Sequence, residues 1–326
     1  MLREIARYLR LFVAALCLIS CLSPNAFADE YPSRTLTIVV PYGPGGAGDL
    51  TARIFAQKMT ELTKASVVIL NRPGAGFVNS ATMVAHGKPD GYTAFLLGNG
   101  TAVATQLFKS LPYKMSDFKH VSTISFFDLV LLVNGNSPFK SVADLIAYAK
   151  AHPGKMNIGT IATGSTQNLA ADLFKSMAGI DAQVVPYDST SQVVTALRGN
   201  EVQAAFEIMP SVIGQITSKA LTPLAVTGDK RFSGLPNVPT LAESGLKGYE
   251  ATSWNGLSLP GGTPDAIVDA LAKDAAAVGA SPDVRKKLLD LGADARSSTP
   301  AEMTARVKAD QDKWKVVIDK AGIPRQ

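Results

Sequence analysis

Apolar residues recur in two registers along this chain, and the alternation of the registers lays out its elements. Thr35 to Val40 carries Leu36, Ile38, Val39 and Val40, a short apolar run that predicts a buried strand. From Asp49 to Thr63 the spacing lengthens. Leu50, Ile54, Phe55 and Met59 recur along one side, which predicts a helix. The pattern repeats with a strand at Val67 to Leu70, a helix at Phe77 to His86 and a third strand at Thr93 to Leu97. Each strand runs into a Gly-rich turn: Pro41 to Asp49, Asn71 to Gly76, and Gly98 to Thr101. Three strand, Gly-loop and helix units in succession predict an α/β fold. Its parallel sheet carries the loops at the C-terminal ends of the strands, where such sheets bind ligands.

Farther on, strands are predicted at Leu129 to Val133, Met156 to Thr160, Gln183 to Tyr187, Glu201 to Phe206 and Leu221 to Thr227. Helices are predicted at Val142 to Ala151, with Ser141 as N-cap, at Thr166 to Met177, and at Gln192 to Leu197. Pro236 to Pro239 begins an irregular crossover, followed by the stretch Trp254 to Pro260. Three helical patterns close the chain, at Pro264 to Val278, Pro282 to Leu291 and Pro300 to about Ala321. Thr263, Ser281 and Thr299 stand before them as caps.

The loop Pro41-Tyr42-Gly43-Pro44-Gly45-Gly46-Ala47-Gly48-Asp49 carries the first candidate chemistry. Glycines let backbone N–H groups approach a ligand, and the N-terminus of the following helix attracts an anion. On these grounds the loop is half of a carboxylate-binding site. Gly43 to Gly48 also matches G-x-G-x-x-G, the dinucleotide fingerprint. The second strand, however, leads into Asn71 and Arg72 rather than a ribose-binding acid, so only an NADP reading stays open beside the anion and a ligand-free turn. A second small-residue loop, Ala162 to Asn168, precedes a second helix N-terminus and adds the hydroxyls of Ser165 and Thr166. N-capping and ligand contact are both open to them.

Composition narrows the function. Apolar residues make up 46% and charged residues 18% of 326 positions, in the range of a globular protein with room for two domains. The net charge of +5 comes from scattered Lys and Arg with no basic block, which argues against nucleic acid. Arg3, Arg7 and Arg10, the apolar Leu11 to Ser20 and Ala26-Phe27-Ala28 read as a secretory signal over residues 1–28, so the mature chain begins at Asp29 in the periplasm. Leu18-Ile19-Ser20-Cys21 offers the alternative of a lipoprotein anchored at Cys21. Cys17 and Cys21 are the two cysteines, both in that segment, so a mature chain starting at Asp29 has no thiol nucleophile or thiolate metal site. His86, His120 and His152 share no motif with a catalytic Ser, Asp or Glu, and no metal-ligand spacing occurs. Gly164-Ser165 lacks the second glycine of a nucleophile elbow. The sequence therefore predicts no enzyme and no cofactor.

Short motifs spread over nearly all of the mature chain carry a resemblance. They include Tyr31-Pro32-Ser33-Arg34, Val40 to Gly46, Asn71 to Gly76, Pro89 to Thr93, Leu111-Pro112-Tyr113, Leu224 to Gly228, Val238 to Gly245 and Trp254 to Leu257. In these the chain resembles the Bug-type solute receptors of the tripartite tricarboxylate transporter family. The resemblance implies a two-lobed periplasmic binding protein fold of the second type, each lobe a mostly parallel sheet flanked by helices, joined by two crossovers. It implies lobes at residues 29–127 with 250–326, and at 128–249. The implied role is a monomeric receptor that closes on a small carboxylate and delivers it to a permease of one large and one small membrane subunit. Ligand-dependent signalling to a membrane sensor is the alternative. One ligand carboxylate would sit on Gly45, Gly46, Ala47 and Gly48, with Asp49 holding the helix start. Thr163, Gly164, Ser165 and Thr166 would take the other end.

Tyr42, Asn99, Tyr187 and Glu207, each at a strand end, complete the candidate ligand-binding set; for the aromatics, and for Trp254, simple packing is the competing role. For Glu207 the choice is a pocket acid or a solvated strand end. The chain departs from the family pattern at Ala47 and Gly48 (commonly Gly and Thr), at Phe77 and Val78 (commonly Gly and Asn), at Asn168 (frequently His) and at Asp188-Ser189 (commonly Lys-Gly). These changes predict a more apolar wall and a ligand with an apolar or aromatic body, or with a polar group facing Glu207.

Overall fold

The computed structural model describes residues 31–74, 77–161, 165–323 and 325. The chain divides into a short N-terminal unit, Met1–Ser33, and a single body, Arg34–Gln326. The signal segment with Cys17 and Cys21 lies outside the described residues, as do Ala75, Gly76, Thr163 and Gly164. In the short unit the described residues 31–33 are irregular, with a cis Tyr31–Pro32 peptide.

The body is built on one sheet in two halves. The first half starts from β1 (Leu36–Val40), flanked in parallel by β2 (Val67–Asn71) and β3 (Thr93–Gly98). Helices α1 (Ala47–Thr63), α2 (Val78–Ala85) and α3 (Asn99–Leu107) follow these strands. The second half is organised on β5 (Met156–Ile161), which pairs in parallel with β6 (Ala182–Tyr187) and β7 (Ala204–Ile208). Its helices are α4 (Val142–Ala151), α5 (Thr166–Ala178), α6 (Thr190–Arg198) and α7 (Met209–Thr217).

A single 17-residue strand, β4 (Phe118–Asn134), belongs to both halves. Its first part, through Asp128, pairs antiparallel with β9 (Thr252–Pro260), which in turn pairs with β3. From Leu129 onward β4 pairs instead with β7, and from Val130 also with β8 (Leu221–Val226). Helices α8 (Asp265–Ala280) and α9 (Pro282–Asp290), the two-residue β10 (Asp294–Ala295) on β4, and α10 (Pro300–Ala321) finish the body. Val39, Phe95, Leu97 and Trp254 gather the core of the first half, and Leu129, Ile158, Phe174 and Phe206 one core of the second. Helix α10 serves both: Met303 and Val307 join the first core, and Trp314, Val317 and Ile318 the second.

Most predicted elements are present within two residues of their bounds, and four readings are corrected. Strand β4 begins at Phe118, not Leu129, so His120 lies within it. Ser122, Thr123, Ser125 and Asp128 interrupt its apolar pattern yet are buried. Ser122 Oγ accepts from Ser298 N–H at 3.0 Å and Thr123 Oγ1 donates to the Arg296 carbonyl at 2.7 Å. Strand β7 begins at Ala204 rather than Glu201, which puts Glu207 inside it rather than at its end; the Gln203 side chain occupies Asn157 N–H at 2.9 Å just before it. Helix α7, unread in the sequence, starts at Met209 directly after β7, with Pro210 in its first turn. The buried stripe of α1 is Gly48, Thr51, Ala52, Phe55 and Met59, which rotates Leu50 outward to 36% exposure.

Ser141, Ser165 and Thr299 each accept a backbone N–H as N-caps, the last in a capping box with Glu302. Ser281 occupies its cap position without that bond, and Thr263 Oγ1 donates instead to the Pro260 carbonyl at 2.8 Å.

Candidate functional site

Strand β1 ends at Val40, and the chain turns through Tyr42 to Gly46 before entering α1. Gly46 is the N-cap and has no side chain with which to cap. The first helical hydrogen bond is made by Leu50 N–H to the Gly46 carbonyl at 2.9 Å, so the N–H groups of Ala47 and Gly48 have no partner within the helix. Gly46, Ala47 and Gly48 line a cavity of about 470 Å³. An uncapped helix end with a positive dipole therefore opens onto this cavity.

Behind the loop, Asp49 is 1% exposed. Its Oδ2 accepts from Gly45 N–H at 2.8 Å and Arg53 Nε at 2.9 Å, and its Oδ1 from Asn71 Nδ2 at 2.7 Å. Asn71 Nδ2 also donates to the Tyr42 carbonyl at 3.0 Å. Burial alone would raise the Asp49 carboxyl, but the bonds from Arg53, Asn71 and Gly45 outweigh it and hold the carboxyl below its ordinary range. Asp49 thus braces the loop from behind and does not line the cavity. Gly45 likewise spends its N–H on Asp49 and is exposed, at φ +85°, a conformation that glycine adopts without strain.

The walls are apolar and aromatic. Tyr42 and Phe77 line one side, ring centroids 5.4 Å apart at 67°, and burial pushes the Tyr42 phenol up to about 12. Helix α3 contributes Val103, Ala104 and Leu107, with Phe108 just beyond. Phe127 of β4, Ile161 of β5 and Ile208 of β7 close the space from the sheet. From the second half, Ser165, Thr166 and Gln167 at the start of α5 face the same cavity. Ser253 and Asn255 of β9 line it, while Trp254 between them points into the core. Trp254 Nε1 donates to the buried Asp310 Oδ2 at 2.6 Å. None of the described lining residues carries a charge.

The predicted residues thus divide. Tyr42, Gly46, Ala47, Gly48, Ser165 and Thr166 line one cavity. Thr163 and Gly164 lie outside the described residues. Asn99 is fully buried, its Nδ2 donating to the Thr252 carbonyl at 2.9 Å, so it ties α3 to β9 rather than facing the cavity. Tyr187 lies along a separate surface hollow with Ser191, Gln192 and Glu201, and burial raises its phenol. Glu207 is 0% exposed, one residue from the lining Ile208. Its Oε2 accepts from Thr190 Oγ1 at 3.0 Å and, over a longer 3.4 Å, from the lining Gln167, while Oε1 has no partner among the described residues. Burial pushes its carboxyl up to about 7, and the bonds from Thr190 and Gln167 offset only part of that. Trp254 has the packing role.

Sequence reasoning missed Val103, Ala104, Leu107, Phe108, Ile161 and Gln167, and likewise Gly100, Phe127, Ile208, Ser253 and Asn255. Period-two alternation in β9 held the signal for the last two. If Trp254 faces the core, its neighbours face the other way.

These features define a solute-binding protein of the periplasmic class, with two half-sheets sharing a strand and facing one cavity. The model of the tripartite tricarboxylate transporter family receptor matches residues 51–323. BugT of Bordetella pertussis is 33% identical over 298 residues, 90% of this chain and 91% of that protein. Rpa4515 of R. palustris, solved with adipate, is 35% identical, with a TM-score of 0.78 over 90% of this chain and 99% of that one. MatC of Rhodopseudomonas palustris, solved with bound malate, is 29% identical, with a TM-score of 0.73 over 88% of this chain and 100% of that one. The periplasmic binding protein BugD is 31% identical, with a TM-score of 0.75 over 91% of this chain and 100% of that one. The chain belongs to the tripartite tricarboxylate transporter receptor family, as a Bug-type periplasmic solute-binding receptor and not an enzyme. Receptors of this family bind small carboxylates and work with membrane permeases. Among the described residues no helix is long and apolar enough to cross a membrane.

Proposed function

We propose that this receptor binds a small organic carboxylate between its two lobes and hands it to a permease of one large and one small membrane subunit. The observation that carries the reading is the α1 N-terminus: N–H groups of Ala47 and Gly48, unpaired within the helix, at a cavity lined by no described cation. In such a site backbone donors and the helix dipole neutralise an anion without an arginine. The adipate and malate of two relatives fit that chemistry. The carboxylate rests on Gly46, Ala47 and Gly48, with Tyr42 beside it. Ser165 and Thr166, together with Thr163 and Gly164, meet the far end of the ligand.

The lobes are residues 29–127 with 250–326, and 128–249. The exchange of β4 partners between Asp128 and Leu129 supports the first boundary. Closure gains contacts from both lobes, so ligand shifts the population toward the closed form. The protein acts as a monomer, exported with cleavage after Ala28.

A thermal-shift series with di- and tricarboxylates, aromatic carboxylates, acidic amino acids and NADP tests this. A ligand at a hundred times its Kd stabilises by about 2.7 kcal/mol. Stabilisation by a carboxylate is the expected result; stabilisation by NADP alone overturns the reading.

A further inference from the structure

The backbone of Phe77 is in a conformation that its side chain does not favour. Its φ is +77°, the left-handed region that a bulky residue rarely adopts. A Leu or Phe in that region persists only where its surroundings hold it. Here two neighbours do. The Tyr42 ring meets Phe77 edge-on at 5.4 Å, and the Phe77 ring lies over Gly100 so closely that a Cβ there would come 2.6 Å from Phe77 Cε2. Gly100 is the space the ring occupies. Fixed on these sides, Phe77 lines the cavity together with Phe108 and Phe127.

We infer that Phe77 is the specificity-determining residue of this receptor, and that it selects a carboxylate whose body is an aromatic ring. The inference rests on the carboxylate reading above and deepens it. The anionic end belongs at Gly46 to Gly48. The body of the ligand then lies among Tyr42, Phe77, Phe127, Leu107 and Ile208, where no described charged group would compensate a second carboxylate part-way along. Rings held in place offer edge and offset-face contacts that an aromatic ligand uses and an aliphatic chain does not.

The test is calorimetric titration of the wild type, Phe77→Gly and Phe77→Leu with benzoate, cyclohexanecarboxylate and adipate. Glycine accepts φ +77° freely, so Phe77→Gly keeps its fold, and an unchanged melting temperature verifies that; Phe77→Leu keeps an apolar side chain without a ring. The expected result is wild-type preference for benzoate over both competitors, with the benzoate-to-adipate affinity ratio falling about tenfold in Phe77→Gly and partly in Phe77→Leu. Equal binding of benzoate and cyclohexanecarboxylate, preference for adipate, or a ratio unmoved in Phe77→Gly overturns the inference and leaves the carboxylate receptor standing. Failure of all three carboxylates to bind the wild type overturns the inference, and the carboxylate reading falls with it only if no carboxylate of the thermal-shift series stabilises the protein.

Discussion

Asn71 Nδ2 donates to Asp49 Oδ1 at 2.7 Å and to the Tyr42 carbonyl at 3.0 Å, so one side-chain amide at the end of β2 holds the loop that leaves β1. Arg53 completes the brace, its guanidinium reaching both Asp49 Oδ2 and Asn71 Oδ1. Gly46 to Gly48 present backbone and at most one methyl group to the cavity, and the rigidity of the loop is supplied from behind.

Replacing Asp49 by Asn therefore removes a charge-assisted acceptor for Gly45 and Arg53. A loss of about 2 kcal/mol is expected at neutral pH. The folded carboxyl sits below its ordinary value, so this stabilisation is complete above the ordinary aspartate range and fades as pH falls through the lower folded value. Melting curves of wild type and Asp49→Asn should converge in acid. A gap that persists unchanged to pH 2 would show that the contribution is not that of the ionised group.

Gly48 faces Tyr42 at a distance that admits no methyl group, since a Cβ there would lie 2.6 Å from Tyr42 Cδ2 and 2.7 Å from Cε2. In Gly48→Ala the tyrosine ring must shift, which disturbs its contact with Phe77. Alanine itself favours the helix by about 1 kcal/mol. Ligand affinity is expected to fall tenfold or more, while the melting temperature drops little. Titration with whichever carboxylate gives the largest thermal shift on the wild type provides the check, and wild-type affinity in the variant would count against Gly48 as a contact surface.

The bond from Trp254 to Asp310 at 2.6 Å joins β9 to α10 inside the core. In Asp310→Ala an indole N–H is left buried without an acceptor, at a cost of about 2 kcal/mol. Ser253 and Asn255 flank Trp254 and line the cavity, so affinity should weaken together with stability. Asp310→Asn retains an acceptor and should recover part of both, which denaturant unfolding of the two variants would reveal.

Local signals carried much of this fold. The apolar runs of β1, β3 and β5, the glycines before α1 and the Ser and Thr caps act through neighbours a few residues away, so the sequence displays them. Strand β4 was half hidden because two of its buried polar residues, Ser122 and Thr123, are satisfied by Arg296 and Ser298, more than 170 positions later. Nothing near Ser122 announces that partner. The same holds at the site. Gly46 to Gly48 and Ser165 are legible as helix starts, whereas Phe127 and Ile208 become wall residues only when two half-sheets meet around β4. Tyr187 and Asn99 sit at strand ends as expected, but the strand end alone does not fix which way a side chain turns.

Glu207 gives a pH dependence of opposite sign to that of Asp49. Burial raises its carboxyl from an ordinary 4.5 to about 7, so between those values the folded chain holds a proton that the unfolded chain has released. Stability accordingly falls as pH rises from 4.5 to 7 and levels off above. Asp128, at the exchange of β4 partners and also pushed by burial to about 7, acts in the same direction from 3.8 upward. His120, which burial lowers from 6.5 to about 4, acts in the opposite direction and adds stability as pH rises between 4 and 6.5. A wild-type profile sums these three with every other shifted group, Asp49 included, so the variant must be compared pH by pH. Glutamine at 207 keeps the shape and an acceptor for Thr190 without a titrating proton. Glu207→Gln is expected to match the wild type at pH 4.5 and to exceed it by about 3 kcal/mol at pH 8, the linkage worth of a shift of that size. Urea unfolding at the two pH values reads the difference directly. A constant offset between the proteins at both would mean that Glu207 is ionised in the fold with a partner among the residues facing it, and its place behind Gln167 would then be that of a fixed negative charge.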